Sequence, residues 1–127
     1  MTTTMSAKLN KRGDIAITPS NRHIRVFDTA GTLLADSTSP VELFEYRCPV
    51  RFYLPSDDVR WDALEKVDMT TSCPYKGTAD RYWRAKAGGD YIAWGYSEPL
   101  PSVAAIKGHV AFYNEKLRIE VDGELLT

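Results

Sequence analysis

The sequence predicts a small, mostly β domain of about eight short antiparallel strands, similar in scale to known all-β domains, with one or two short helices. Three observations predict it. Apolar and polar residues alternate over short runs, as in Ile15-Ala16-Ile17, Ile24-Arg25-Val26 and Tyr82-Trp83-Arg84-Ala85. Turn signals rich in Gly, Pro, Asp and Asn fall between those runs. A chain of 127 residues that is 43% hydrophobic and 26% charged holds one sizeable core and not two. Residues 14–127 therefore read as a single β domain behind a polar lead-in over residues 1–13.

In chain order, Met1 to Gly13 carries repeated Thr and several basic residues without periodicity, the pattern of a loosely held segment. Ile15 and Ile17, then Ile24 and Val26, mark two short strands parted at Pro19 to Asn21. Asp28-Thr29-Ala30-Gly31 turns the chain into a return strand from Leu33 to Ser37, so the front third reads as an antiparallel meander. Ser39-Pro40-Val41-Glu42 fits a capping box with proline at the first helical position, which predicts a short helix from Pro40 to about Tyr46. Pro49 prevents its continuation. Arg51 to Leu54 suits a strand and Pro55-Ser56-Asp57-Asp58 a turn, with Asp58 placed to cap the turn leading to Val59 and Leu64.

The clearest hairpin joins Asp80–Ala87 to Tyr91–Ser97 around Gly88-Gly89-Asp90. On its first arm Tyr82 and Arg84 share one face and Arg81, Trp83 and Ala85 the other. On its second arm Ile92, Trp94 and Tyr96 share a face. Beyond Pro99-Leu100-Pro101, Ser102 to Lys107 predicts one helical turn ended by Gly108. His109–Tyr113 and Leu117–Val121 read as a final hairpin around Asn114-Glu115-Lys116.

Lys and Arg number 16 against 17 Asp and Glu, so a net charge of -1 gives no footprint for nucleic acid or an anionic membrane. No apolar run is long enough to span a membrane, and the first ten residues lack the apolar stretch of a secretory signal, which leaves a cytoplasmic location as the expectation. Cys48 and Cys73 each precede a proline and belong to no C-x-x-C pair, so free thiols are expected and a structural zinc site is not. His23 and His109 stand at no metal-motif offset from a carboxylate. No metal is expected, and no cofactor can be named.

Chemistry concentrates in Thr70-Thr71-Ser72-Cys73-Pro74-Tyr75-Lys76-Gly77, where a thiol, a phenol and an ammonium crowd one Pro- and Gly-bounded turn. A thiolate is the reactive form of cysteine, and an ammonium three residues on can favour it. Tyr53, Tyr75, Trp83, Trp94 and Tyr96 add more polar-tipped rings than a small core requires. The leading reading is a binding domain that holds a small, anionic or planar molecule among those five rings, with Lys76 as a charge-assisted contact. A second reading is an enzyme with Cys73 as nucleophile, Lys76 lowering its pKa, and Asp58 or Glu45 as acid–base partner. A third is an interaction module that docks a protein through exposed rings.

Several motifs resemble those of the family known as domain of unknown function 427, also labelled nucleotidyltransferase-like. They are Thr71-x-Cys73-Pro74-Tyr75-Lys76-Gly77-x-Ala79, Tyr82-Trp83, Ala93-Trp94-x-Tyr96-x-x-Pro99 and Ile106-x-Gly108-x-Val110-Ala111-Phe112-Tyr113. Ala35-Asp36-Ser37 and Tyr53-x-Pro55-x-x-Asp58-Val59 fit too, so the resemblance runs from about Ile24 to Gly123. It implies a β-tent-like fold, shared with the zinc-binding cereblon ligand domain and methionine sulfoxide reductase B. This chain lacks the paired C-x-x-C knuckles of those proteins. It also lacks a Gly-Ser pair followed by spaced aspartates, and a phosphate-cradling glycine loop. Gly95 departs from the serine that the resemblance leads one to expect.

Overall fold

The computed structural model describes residues 9–126. Thirteen short strands are found among them, rather than about eight, and the mostly β expectation holds. The strands are β1 (Ile15–Pro19), β2 (Ile24–Phe27), β3 (Leu33–Ser37), β4 (Val41–Glu45), β5 (Arg51–Leu54), β6 (Leu64–Val67), β7 (Thr71–Cys73), β8 (Gly77–Ala79), β9 (Arg81–Ala85), β10 (Tyr91–Gly95), β11 (Val110–Phe112), β12 (Arg118–Val121) and β13 (Glu124–Leu125). A seven-stranded antiparallel sheet runs β1-β4-β5-β11-β10-β9-β6, a four-stranded sheet runs β13-β12-β2-β3, and β7 and β8 form a separate ribbon.

Period-two alternation makes the large sheet apolar on both faces. Phe52, Leu54, Trp83, Ala85, Val110 and Phe112 pack on one face against Ile24, Val26, Leu34 and Ile119 of the small sheet. From the same sheet Val41, Leu43, Tyr53, Tyr82, Trp94 and Ala111 point the other way. There they are covered by Ala79 of the ribbon and by Val103 and Ile106 of the 3-10 turn Pro101–Ile106. The ribbon that covers this second face carries Cys73 at the end of β7 and Lys76 in the turn before β8.

Four expectations are corrected. The segment expected as a helix from Pro40 to Tyr46 is β4, paired on both sides: Ile15 to Pro19 lie opposite Glu45 to Val41, and Val41 to Leu43 lie opposite Tyr53 to Arg51. Two flanking ladders and the burial of Val41 and Leu43 outweigh the local capping pattern. Ser39 N–H donates to Ser37 Oγ at 3.1 Å, and the buried Glu42 carboxylate accepts from Arg22 at 3.4 Å.

The front meander is also different, since β1 joins the large sheet while β2 lies between β12 and β3 in the small one. The final hairpin does not form. β11 pairs with β10 and β5, β12 pairs with β2, and Asn114–Lys116 carries the chain from one sheet to the other. That crossover is fastened by Asn114 Nδ2 donating to Val50 O at 2.7 Å and by a two-point Arg51–Glu115 pair at 2.7 and 3.1 Å. Lastly, a register shift between Tyr91 and Ala93 turns Ile92 toward the inter-sheet core, so it does not share a face with Trp94 and Tyr96.

Candidate functional site

Three turns converge beside the ribbon. Cys73-Pro74-Tyr75-Lys76 links β7 to β8 and is closed by Lys76 N–H donating to Cys73 O at 3.3 Å. Gly77 follows at φ +109°, and Lys76 O accepts from Leu100 N–H at 2.9 Å, which ties the turn to the segment before the 3-10 turn. Glu45-Tyr46-Arg47-Cys48 leaves β4 and is closed by Cys48 N–H donating to Glu45 O at 2.9 Å, with Arg47 held at φ +58°. The third turn precedes β1, where the Asp14 carboxylate accepts from the N–H groups of Asn10 and Lys11 at 2.8 and 3.1 Å.

Specific contacts hold the three together. Lys76 Nζ donates to Glu45 Oε1 at 2.5 Å, with the two side chains only 12% and 19% exposed. Tyr46 N–H donates to Asp14 O at 3.1 Å. The Tyr75 ring lies on the backbone of Gly13, where an added Cβ would sit 2.7 Å from the ring. Between the turns is an open cleft of about 600 Å³, lined by Arg12, Glu45, Arg47, Cys48, Cys73 and Tyr75, among others.

The charges of the cleft do not cancel. Glu45 is matched by Lys76, whereas neither Arg12 nor Arg47 forms an ion pair among the described residues. The Arg47 guanidinium lies 5.3 Å from the ring centre of Tyr46. Two arginines and two cysteines therefore line one cleft; Cys48 is exposed, Cys73 is partly buried, and neither is in a disulfide. No group of three or more His, Cys, Asp or Glu among the described residues could hold a metal ion.

The residues predicted for the site divide among four places. Cys73, Glu45 and Tyr75 line this cleft, and Lys76 clamps it through Glu45. Tyr53 and Trp94 lie beneath as core: Trp94 Nε1 donates to the Tyr53 hydroxyl at 3.2 Å, the rings meet edge to face, and Tyr53 is 1% exposed. Burial raises the Tyr53 phenol well above the usual tyrosine range, and the neighbouring Glu45 and Cys73 push the same way. Tyr96 is raised chiefly by burial too, with Tyr53 and Cys73 adding to it. Both phenols therefore stay protonated at neutral pH.

Trp83 is on the opposite face of the sheet, its ring centre 4.9 Å from that of Trp61 with the planes tilted by 58°, and lines with Tyr96, Arg81 and His109 a separate cleft of about 360 Å³. The five rings expected around one ligand do not share a hollow. Asp58 is likewise elsewhere: its carboxylate accepts from Ser37 Oγ of β3 at 2.7 Å, so it neither caps the following turn nor faces Cys73. Sequence reasoning missed Arg12, Arg47 and Cys48. The Arg47-Cys48-Pro49 run would have pointed to a hairpin loop once Val41–Glu45 was read as a strand.

The fold and site define a small two-sheet β domain with an aromatic cluster on one sheet face and a basic, thiol-bearing cleft where three turns meet. The chain belongs to the family described as Domain of unknown function (DUF427), whose model matches residues 16–123. That match takes in the ribbon turn and the Arg47-Cys48 turn. A comparison with curated proteins gave no match.

Proposed function

We propose that the domain binds a small organic anion, a carboxylate or a phosphate ester, in the cleft between the Cys73–Lys76 and Glu45–Cys48 turns. The observation that carries this reading is a pair of arginines, Arg12 and Arg47, that line the cleft and form no ion pair among the described residues. Guanidinium groups recognise carboxylates and phosphates through paired N–H donors. The cleft volume of about 600 Å³ falls within the range of small-molecule sites. Tyr75 supplies a flat apolar wall, anchored on Gly13. Lys76 acts here as the clamp on Glu45 rather than as the ligand's own contact.

A cytoplasmic setting suits a protein with two free thiols. No described helix is long and apolar enough to cross a membrane. The partner in this reading is a small molecule rather than a nucleic acid.

The test is thermal denaturation across a panel of di- and tricarboxylates and nucleoside monophosphates. A true ligand at a hundred times its Kd should stabilise the wild type by about 2.7 kcal/mol. Arg12→Gln and Arg47→Gln should lose most of that gain while unfolding like the wild type in the absence of ligand. Equal stabilisation of all three proteins would contradict the reading.

A further inference from the structure

Cys48 and Cys73 are the chain's only cysteines, and the fold brings both to one cleft, Cys48 from the turn after β4 and Cys73 from the end of β7. Each thiol lies three residues from one member of the Glu45–Lys76 ion pair, and each three-residue span is closed by a backbone hydrogen bond, 2.9 Å in one turn and 3.3 Å in the other. One ion pair thus clamps the two thiol-bearing turns together. Cys48 is open to solvent, Cys73 is partly buried near the Tyr53 and Tyr96 phenols, and neither thiol is in a disulfide. Binding an anion alone would leave this chemistry unused.

We propose that the cleft is a dithiol site that exchanges with a small anionic disulfide, Cys48 attacking and Cys73 resolving. The proposal rests on the anion-binding reading above, since Arg12 and Arg47 would select the charge of the disulfide. Cys48, the more exposed thiol, loses its proton to solvent, and its sulfur attacks one sulfur of the bound disulfide. The external S–S bond breaks, one half leaves as a thiolate and takes a proton from solvent, and a mixed disulfide remains on Cys48. Cys73, deprotonated by solvent, attacks the Cys48 sulfur and expels the second half in the same way. Two protein thiols are oxidised to one disulfide while the external disulfide is reduced to two thiols.

The experiment treats reduced protein with oxidised glutathione, which is anionic, or with cystamine, which is cationic, and follows intact mass against time. Oxidised glutathione should give a product lighter by two hydrogens with no retained adduct, about tenfold faster than cystamine does. Arg47→Gln should remove that advantage, and Cys73→Ser should trap one glutathione on Cys48. Stable glutathione adducts on both cysteines, or no reaction, would overturn the dithiol proposal. If the adducts still formed in an Arg47-dependent way, the anion-binding reading would survive. Equal rates with the two reagents would overturn both.

Discussion

Arg47 is the residue where local backbone and proposed role conflict most visibly. Its φ of +58° puts a side chain with a Cβ into the left-handed region, which costs about 1–2 kcal/mol outside glycine. The cleft gains a guanidinium from that strained turn. Arg47→Gly should therefore raise the stability of the unliganded domain by about 0.5–1 kcal/mol in urea unfolding while weakening anion binding. A variant that is both less stable and equally good at binding would show that the arginine serves the fold. At this scale the sequence is informative where the neighbours are local: the turn that joins Cys73, Tyr75 and Lys76 is readable from its Pro and Gly. It is silent where a residue's role depends on a distant neighbour. Nothing in the Arg12-Gly13 pair announces that Tyr75, more than sixty positions on, lies across it, and nothing near Asp58 announces Ser37.

At the scale of elements, the β9–β10 hairpin was legible because aromatic alternation and a Gly-Gly turn agree with the final pairing. β4 was not, because Ser39-Pro40-Val41-Glu42 carries a sound helix-start pattern that only non-local ladders override. The crossover at Asn114–Lys116 misleads for the same reason, as a short polar turn between apolar runs reads as a hairpin unless the second sheet is known. β10 and β11 depend on a close approach that the sequence marks only as an unexpected glycine. An added Cβ at Gly95 would sit 2.7 Å from the carbonyl oxygen of His109, a backbone atom that cannot rotate away. Gly95→Ser should destabilise the domain by about 1–3 kcal/mol, measured by thermal or urea unfolding. A neutral effect would mean that the strands separate at no cost, which the pairing Gly95↔Val110 argues against.

For the whole molecule, titrating groups bracket the pH range of maximal stability. Asp80 is held below its usual carboxylate range chiefly by Ser97, whose hydroxyl and N–H both donate to it, and Glu115 is held low chiefly by Arg51. Depressed carboxylates favour the folded state above the unfolded pKa of about 4, and that contribution is lost as pH falls further. Tyr53, Tyr96 and Tyr113 are raised above 10, in each case chiefly by burial. Their contribution is complete below the unfolded pKa of about 10 and is lost as pH rises beyond it, because the unfolded chain ionises first. Urea midpoints should therefore hold steady from about pH 5 to 9 and fall on both sides. Asp80→Asn should flatten the acid limb, and Tyr53→Phe the alkaline one. An alkaline limb unchanged in Tyr53→Phe would contradict the burial of that phenol.

In the proposed function an anion is held in the cleft between the turns. An amide NMR titration with a carboxylate or nucleoside monophosphate that stabilises the protein addresses it residue by residue. The predicted result is saturable shifts confined to residues 12–14, 45–48 and 72–76, abolished together in Arg47→Gln. Shifts centred instead on the Trp61–Trp83 cleft would contradict it.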